Sequence, residues 1–316
     1  MMMSCRREEC RKMTVCHFIL PAMLLLNILC TTVATADRVE DPSVIVNVMI
    51  DCELNPTSHN LTSQEEKALE LDSFTKMLDI MDSRKLNTSI YFTGEFASKK
   101  IGNISCKDYI ALAASNKNHE IALHSMKTAD KLGPMSYEEQ LALLTSAKAL
   151  IEDAYKAERS TPIIGFRPQY FNQSEETYKV LDKLGIVHDS GFQAGLLYAP
   201  GHQNDTWPYQ LENHQSYAVP ISTYNMDNRA VYACDMSCCR VNKLNGSQWH
   251  DYLVSAFKEC KEKDDPMVVI FHNFVSGEDP IYMEAFEKFI DFAVSENATF
   301  VSTNELIELT KNKGIH

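Results

Sequence analysis

The chain has 316 residues, of which 45% are hydrophobic and 23% are charged, so it can bury a full core and is not a disordered chain. Its formal net charge of −13 argues against electrostatic binding to nucleic acid or to an anionic membrane surface. Its ten cysteines are many for a cytosolic enzyme and ordinary for a secreted protein.

The first predicted element is a secretory signal over residues 1–36. Basic side chains precede an apolar run at 18–30, and small residues at 34–36 follow it. This order is typical of a cleaved signal peptide, and an uncleaved signal anchor is the alternative. N-x-S/T sequons between Asn60 and Asn297 agree with export. We therefore predict a secreted glycoprotein whose mature domain spans residues 37–316.

The mature chain alternates predicted strands and helices. The strands are 44–50, 88–93, 119–124, 162–166, 185–189, 267–272 and 298–302. The helices are 64–83, 106–116, 136–157, 174–184, 247–262, 280–295 and one at the C-terminus, and residues 191–246 are less regular. This alternation predicts one α/β domain built on a parallel sheet or barrel.

Polar residues follow these strands where each one ends. In a barrel, the carboxyl ends of the strands meet at one mouth, so these side chains are expected to lie close together. Any one of them has an ordinary structural interpretation, such as capping a loop, but their joint placement predicts a functional site. The strand-end residues are Asp51, Cys52, Glu53, His124, Arg167, Asp189 and His272.

The ordered motifs resemble those of polysaccharide deacetylases, the NodB-homology or carbohydrate esterase family 4 group that includes secreted chitin deacetylases. The motifs are IDCE at 50–53, HEIALHS at 119–125, GFRPQYF at 165–171, HDS at 188–190 and IFH at 270–272. The resemblance covers about residues 44–310. It implies a deformed (β/α) barrel that hydrolyses N-acetyl groups on an N-acetylglucosamine-containing glycan, with Zn²⁺ or another divalent metal ion.

The resemblance implies a role for each residue of the first motif. Asp51 corresponds to the catalytic base, and the adjacent segment should supply a metal carboxylate. Side chains two apart on a strand share a face, so Glu53 should lie beside Asp51 while Cys52 points elsewhere. Glu53 and His124 are therefore the expected metal ligands, and Cys52 is an alternative ligand or a disulfide partner of Cys106.

One position departs from the family pattern. The family places a second metal histidine four residues after His124, and this chain has Thr128 there. A hydroxyl is a much weaker zinc ligand than an imidazole. Three interpretations remain open: weak metal binding by Glu53 and His124, a replacement ligand such as His59 or His202, or an inactive homologue.

The remaining roles are also implied by the resemblance. Arg167 is expected to hold the base carboxylate, and the backbone N–H at Tyr170 to stabilise an oxyanion. Asp189 is expected to orient His272, which would donate a proton to the leaving amine. Trp207 is a candidate stacking surface for a sugar ring, with a core aromatic as the alternative.

Two broader alternatives accompany the deacetylase prediction. One is an inactive homologue that binds extracellular glycan, and the other is a disulfide-built structural protein. The expected partner is an N-acetylated glycan and not nucleic acid, with no membrane association beyond an uncleaved anchor. The cysteines predicted to staple the irregular region are Cys234, Cys238, Cys239 and Cys260.

Overall fold

The computed structural model describes residues 43–54, 64–226 and 228–315. The predicted signal peptide and the candidate ligand His59 lie outside these residues. In the part of the chain that is described, no helix is both long and apolar enough to cross a lipid bilayer.

Thirteen strands form three sheets in this part of the chain. They are β1 (Ile45–Cys52), β2 (Thr88–Phe92), β3 (Lys100–Ile101), β4 (Ile104–Ser105), β5 (His119–Leu123), β6 (Gly165–Phe166), β7 (His188–Gln193), β8 (Tyr209–Gln210), β9 (Tyr217–Ile221), β10 (Thr223–Met226), β11 (Arg229–Tyr232), β12 (Met267–His272) and β13 (Thr299–Phe300). The main sheet runs β12-β1-β2-β5-β6-β7-β9-β8, with β13 also paired to β1. Its pairs are parallel except for β8–β9, and the other two sheets are the hairpins β3–β4 and β10–β11.

Eight α-helices accompany the strands among the described residues. They are α1 (Gln64–Ser83), α2 (Gly94–Ser98), α3 (Cys106–Ser115), α4 (Tyr137–Tyr155), α5 (Glu175–Leu184), α6 (Gly246–Lys263), α7 (Pro280–Ser295) and α8 (Thr303–Lys313). Local sequence explains several ends. Ser136 and Glu139 form a capping box at the start of α4, and Gly185 ends α5 in the left-handed conformation at φ 67°.

The predicted strands and helices occur in the predicted order, with two strands placed differently, and α2, β3 and β4 are additional elements between β2 and α3. Strand β6 contains only two residues, and β7 begins three residues later than predicted because Gly185 and Ile186 belong to the turn after α5. The irregular region contains β8 to β11 and a π-helical turn at Met236–Val241. A second π-helical turn, Asn273–Gly277, follows β12.

Strand β1 separates the two layers of the core. Val48, Ile50 and Cys52 pack in the cluster between the sheet and its helices. Met49 packs in the other large cluster, on the inner face of the sheet. The period-two alternation of a strand therefore turns Cys52 toward the helices and Asp51 toward the interior.

The sheet curls and closes on itself beside β12. The backbone N–H of Ser222 donates to Val268 O at 3.1 Å, and Val268 N donates back to Ser222 Oγ at 2.9 Å. Farther along, Ile270 N donates to Ala233 O at 2.9 Å, and Cys234 forms a parallel bridge with Ile270. The result is the deformed (β/α) barrel predicted from the sequence, and the closure brings Cys234 next to the end of β12.

Candidate active site

A cavity of about 200 Å³ opens where the carboxyl ends of β1, β5, β6 and β12 meet. Seven of the residues singled out from the sequence line it together: Asp51, Glu53, His124, Thr128, Arg167, Tyr170 and His272. The remaining wall is mainly apolar and aromatic: Pro168, Phe171, Tyr232, Cys234, Met236, Ile270 and Phe274, with Gln169 as a polar member.

Asp51 lies at the centre of this group. It is the register partner of His272 across the β1–β12 pair. Its Oδ1 accepts hydrogen bonds from Arg167 Nε, at 3.1 Å, and from Arg167 Nη2. Its Oδ2 lies 3.5 Å from His124 Nε2 and 3.6 Å from His272 Nε2. Burial opposes the charge on Asp51, but Arg167 and the two histidines outweigh burial and hold the pKa of Asp51 below its usual range.

Arg167 is itself held in place on several sides. Its guanidinium carbon lies 3.9 Å from the centroid of the Tyr91 ring, a cation–π contact. Its Nη1 donates to Ser190 Oγ at 3.3 Å. The side chain is buried, so its charge acts on Asp51 with little screening by water. These contacts fix the orientation of the Asp51 carboxylate as well as its charge.

His124 is oriented as a metal ligand would be. Its Nδ1 lies 2.8 Å from the backbone carbonyl oxygen of Arg167, which can only accept, so Nδ1 carries the proton. The Nε2 atom therefore faces the cavity, 3.9 Å from Glu53 Oε2. Gln169 Nε2 donates to the same Glu53 oxygen at 2.8 Å and to His124 O at 3.2 Å. Gln169 thus positions the candidate ligands, a role that the sequence did not reveal.

Thr128 reaches the cavity on a turn that follows β5. Asp130 Oδ2 shapes this turn by accepting hydrogen bonds from Ser125 Oγ, Met126 N and Lys127 N at 2.8–3.0 Å. The Thr128 hydroxyl donates to Leu54 O at 3.4 Å. The residues present can therefore offer a metal ion one imidazole and one carboxylate, with a hydroxyl at the third position.

The acid that orients His272 is Asp235, which corrects the prediction made for Asp189. His272 Nδ1 lies 2.6 Å from Asp235 Oδ1, and His272 N donates to Asp235 Oδ2 at 2.7 Å. Burial disfavours the charged imidazole, but the charge and hydrogen bond of Asp235 outweigh burial and hold the pKa of His272 well above 6.5. Asp189 instead accepts a hydrogen bond from Gly191 N at 2.8 Å. Burial raises the pKa of Asp189 to about 7.

Trp207 does not belong to the cavity wall among the described residues and is 8% exposed, which favours the core-aromatic alternative over the stacking surface. It lines a different recess with Val44 and Ile45, at the amino end of β1, whereas Asp51 is near the carboxyl end. Lys313 Nζ lies 4.4 Å from its ring centroid. Tyr170 does line the cavity, is 60% exposed and has a φ of 55°.

Two other expectations about ligands can be compared with the structure. His202, a candidate for the missing ligand, stacks on the Tyr209 ring at 3.9 Å and bonds to Asp205, outside the described cavity lining. Cys52 packs against the helices.

The cysteines of the irregular region do not form the expected staples in the structure. Cys234, Cys238, Cys239 and Cys260 are buried free thiols. Of these four, Cys234 lines the cavity. Its Sγ, a carboxylate oxygen of Asp235 and a ring nitrogen of His272 all lie within 4.8 Å of one another, which makes the three a candidate metal-binding group.

Comparison with known proteins agrees with this fold. A family model described as polysaccharide deacetylase matches residues 68–188. A Mycobacterium smegmatis protein assigned as a polysaccharide deacetylase has a similar structure, with a TM-score of 0.66 and 15% identity over 87% of this chain and 92% of its own. A Pseudomonas aeruginosa PAO1 protein of the same assignment has a TM-score of 0.64 and 14% identity over 86% of this chain and 92% of its own.

A third similar structure is a CE4 family pseudoenzyme from Bacillus anthracis, with a TM-score of 0.51 and 12% identity over 84% of this chain and 66% of its own. One mutant of that pseudoenzyme is described as having restored enzymatic activity. No curated protein sequence matches this chain. The fold is the deformed barrel of the similar deacetylase structures. The chain is similar to polysaccharide deacetylases in sequence over residues 68–188 and in its fold.

Proposed function

We propose that this protein is a secreted, metal-dependent hydrolase that removes N-acetyl groups from N-acetylglucosamine-containing glycans, such as a chitin-like polymer or its oligomers. The observation that carries the proposal is the position of Asp51 Oδ2, 3.5 Å from His124 Nε2 and 3.6 Å from His272 Nε2. Asp51, the candidate base, lies between the candidate metal ligand His124 and the candidate acid His272. From this position it can reach a water molecule held near both histidines.

His124 and Glu53 are suited to hold the divalent ion. Imidazole nitrogen and carboxylate oxygen are ligand types that Zn²⁺ takes, and the hydrogen bond of His124 Nδ1 to a carbonyl leaves Nε2 free to bind. When bound, the ion would supply Lewis-acid polarisation of the acetyl carbonyl and of the attacking water. Because Thr128 replaces a third strong ligand, we expect the affinity for zinc to be weak.

Asp51 and His272 divide the proton transfers. Asp51 is ionised, because Arg167 and the histidines lower its pKa, and it accepts a proton from the attacking water. His272 is protonated, because Asp235 raises its pKa, and it donates a proton to the leaving amine. The backbone N–H of Tyr170, at the cavity wall, is the candidate donor to the developing oxyanion.

Acetate release from chitin oligomers tests the proposal. We expect release by the purified protein to stop after chelation, to return with added zinc or cobalt, and to be lost in Asp51→Asn. Asp189→Asn is the matched control, because it removes a buried carboxylate that bonds to Gly191 rather than to His272. Folded protein that binds zinc and releases no acetate would contradict the enzyme proposal.

An inactive glycan-binding homologue is the second candidate function. The observation that favours it is Thr128, whose hydroxyl at the third ligand position donates to Leu54 O. This candidate predicts that chitin oligomers bind with an affinity unchanged by chelation and by Asp51→Asn, while no acetate is released. Calorimetric titration of the same variants therefore separates the two candidates.

Secretion is part of the same proposal. Exposed sequon asparagines, such as Asn103 and Asn204, are accessible acceptors for N-glycans. Asn87 is less accessible, because its side-chain amide donates to both carboxylate oxygens of Glu305, at 3.0 and 2.8 Å. Glycopeptide mapping of protein secreted from a eukaryotic cell, together with N-terminal sequencing, tests both glycosylation and cleavage after residue 36.

A further inference from the structure

We propose that the cavity contains a second nucleophile, the Cys234 thiol, which His272 activates to accept a small acyl group without a metal ion. The substrate class is a small acyl ester, such as an acetyl ester. This activity does not rest on the metal-dependent hydrolysis proposed above, because it uses neither Glu53 nor His124.

The geometry is that of a nucleophile, a base and an orienting acid. Cys234 Sγ, a ring nitrogen of His272 and a carboxylate oxygen of Asp235 lie within 4.8 Å of one another. His272 Nδ1 bonds to Asp235 Oδ1 at 2.6 Å, and His272 Nε2 lies 3.6 Å from Asp51 Oδ2 in the same cavity. Cys234 and His272 both line that cavity. A thiol close to an imidazole that a carboxylate positions is a recurrent arrangement for acyl transfer.

The hydrogen bonds of Asp235 favour this arrangement over a metal site in the same three residues. Its Oδ1 accepts from Met236 N and His272 Nδ1, both at 2.6 Å. Its Oδ2 accepts from His272 N at 2.7 Å and from Ser276 Oγ and N at 2.7 and 3.2 Å. A metal ion would have to displace these donors from a fully buried carboxylate. Asp235 is therefore better suited to position His272 than to bind a metal.

Cys234 is distinguished from the other free thiols by its position. It is fixed beside β12 by the bridge to Ile270 and is only 3% exposed, yet it reaches the cavity. Cys238 and Cys260 lie in the cluster between sheet and helices. Burial raises the pKa of Cys260 to about 12 and raises that of Cys238 further, which makes both poor nucleophiles.

The reaction has two balanced steps. Cys234 reacts as a thiolate whose proton is held by the His272 imidazolium, and its sulfur bonds to the acyl carbon while the carbon–oxygen bond of the ester breaks. The leaving alcohol takes the proton from His272. Water then attacks the thioester with His272 as base, releasing the acid and regenerating the thiol. The apolar wall formed by Phe171, Met236 and Ile270 suits a short acyl chain.

p-Nitrophenyl acetate in the presence of a chelator tests the proposal on the full chain. We expect a burst of p-nitrophenol about equal to the enzyme concentration, with the acetyl group located on Cys234 by mass spectrometry. Cys234→Ala should abolish the burst and reduce turnover at least about 10-fold. Cys238→Ala is the matched control, because it removes a buried thiol outside the described cavity lining, and it should retain the burst.

Three results would overturn the proposal: a burst that persists in Cys234→Ala, an acetyl group on a different residue, or mass spectrometry of unreduced protein that places Cys234 in a disulfide. If Cys234→Ala does not fold, alkylation of the native protein replaces it. Iodoacetamide should then modify Cys234 before Cys238 and Cys260 and abolish the burst, and a burst that survives modification of Cys234 refutes the role. Because the chelator is present throughout, none of these outcomes depends on the metal-dependent activity.

Discussion

Replacing Thr128 by histidine should convert a weak metal site into a strong one. Thr128 lines the cavity beside Glu53 and His124, so an imidazole there would provide a third zinc ligand. Changes outside the ligand set alone alter metal affinity by about 10–100-fold, and adding a ligand should do at least as much. That range corresponds to about 1.4–2.7 kcal/mol of binding free energy. The hydrogen bond lost to Leu54 O is long, at 3.4 Å, and contributes about 1 kcal/mol or less to stability.

The assay is calorimetric titration of chelator-treated protein with zinc, followed by acetate release from chitin oligomers. Thr128→Asn is the matched control, because it keeps a polar side chain at the position and adds no imidazole. We expect tighter zinc binding and faster acetate release in Thr128→His only.

Two outcomes would refute this reasoning. In the first, Thr128→His folds as well as the native protein, judged by its unfolding temperature, and binds zinc no more tightly. In the second, the native protein already binds one equivalent of zinc as tightly as the variant does, so that another group fills the third position.

Three further changes test the electrostatics of the site. Asp51→Asn should lower the deacetylation rate by about 100-fold or more, because the base is lost, and a retained affinity for chitin oligomers would locate the loss in the chemical step. Asp235→Asn should lower the pKa of His272, because the negative charge that raises this pKa is removed. The alkaline limb of the pH–rate profile, where the acid loses its proton, should then move to lower pH. An unchanged limb would contradict the pairing of Asp235 with His272. The pKa of Asp189 is about 7 in the folded protein, against an ordinary value of 3.8 in the unfolded chain. Between pH 3.8 and about 7, the folded protein therefore keeps a proton that the unfolded chain has lost. The free energy of unfolding should fall as the pH rises through this range. Asp189→Asn should remove this loss of stability, which is on the order of 4 kcal/mol. If the free energy of unfolding has the same slope against pH in the native protein and in Asp189→Asn, burial does not raise the pKa of Asp189.

The sequence was most informative where regular strands end. Alternation along β1 correctly predicted that Asp51 and Cys52 lie on opposite faces of the sheet, because successive side chains of a strand point in opposite directions. The ends of β5, β6 and β12 likewise brought His124, Arg167 and His272 to one cavity, because parallel strands share an edge.

Sequence reasoning failed where placement depends on long-range packing. Asp235 follows the hairpin β10–β11 in the region predicted to be irregular, and its bond to His272 spans 37 residues. Asp189 has the expected residue type at a strand end, but nothing in the local sequence indicates that Gly191 occupies its carboxylate. The aromatic character of Trp207 does not predict at which end of the barrel the residue lies. Trp207 lies at the end opposite the mouth.

The register between β1 and β12 has a consequence for how this protein can diversify. Asp51 and His272 are direct partners on adjacent hydrogen-bonded strands, so their separation is set by the backbone ladder rather than by a loop. The segment that carries Tyr170 and Phe171, by contrast, forms part of the cavity wall from outside that ladder. Evolution or an engineer can therefore exchange this wall to admit a new substrate while the spacing of the proposed proton-transfer pair stays constant.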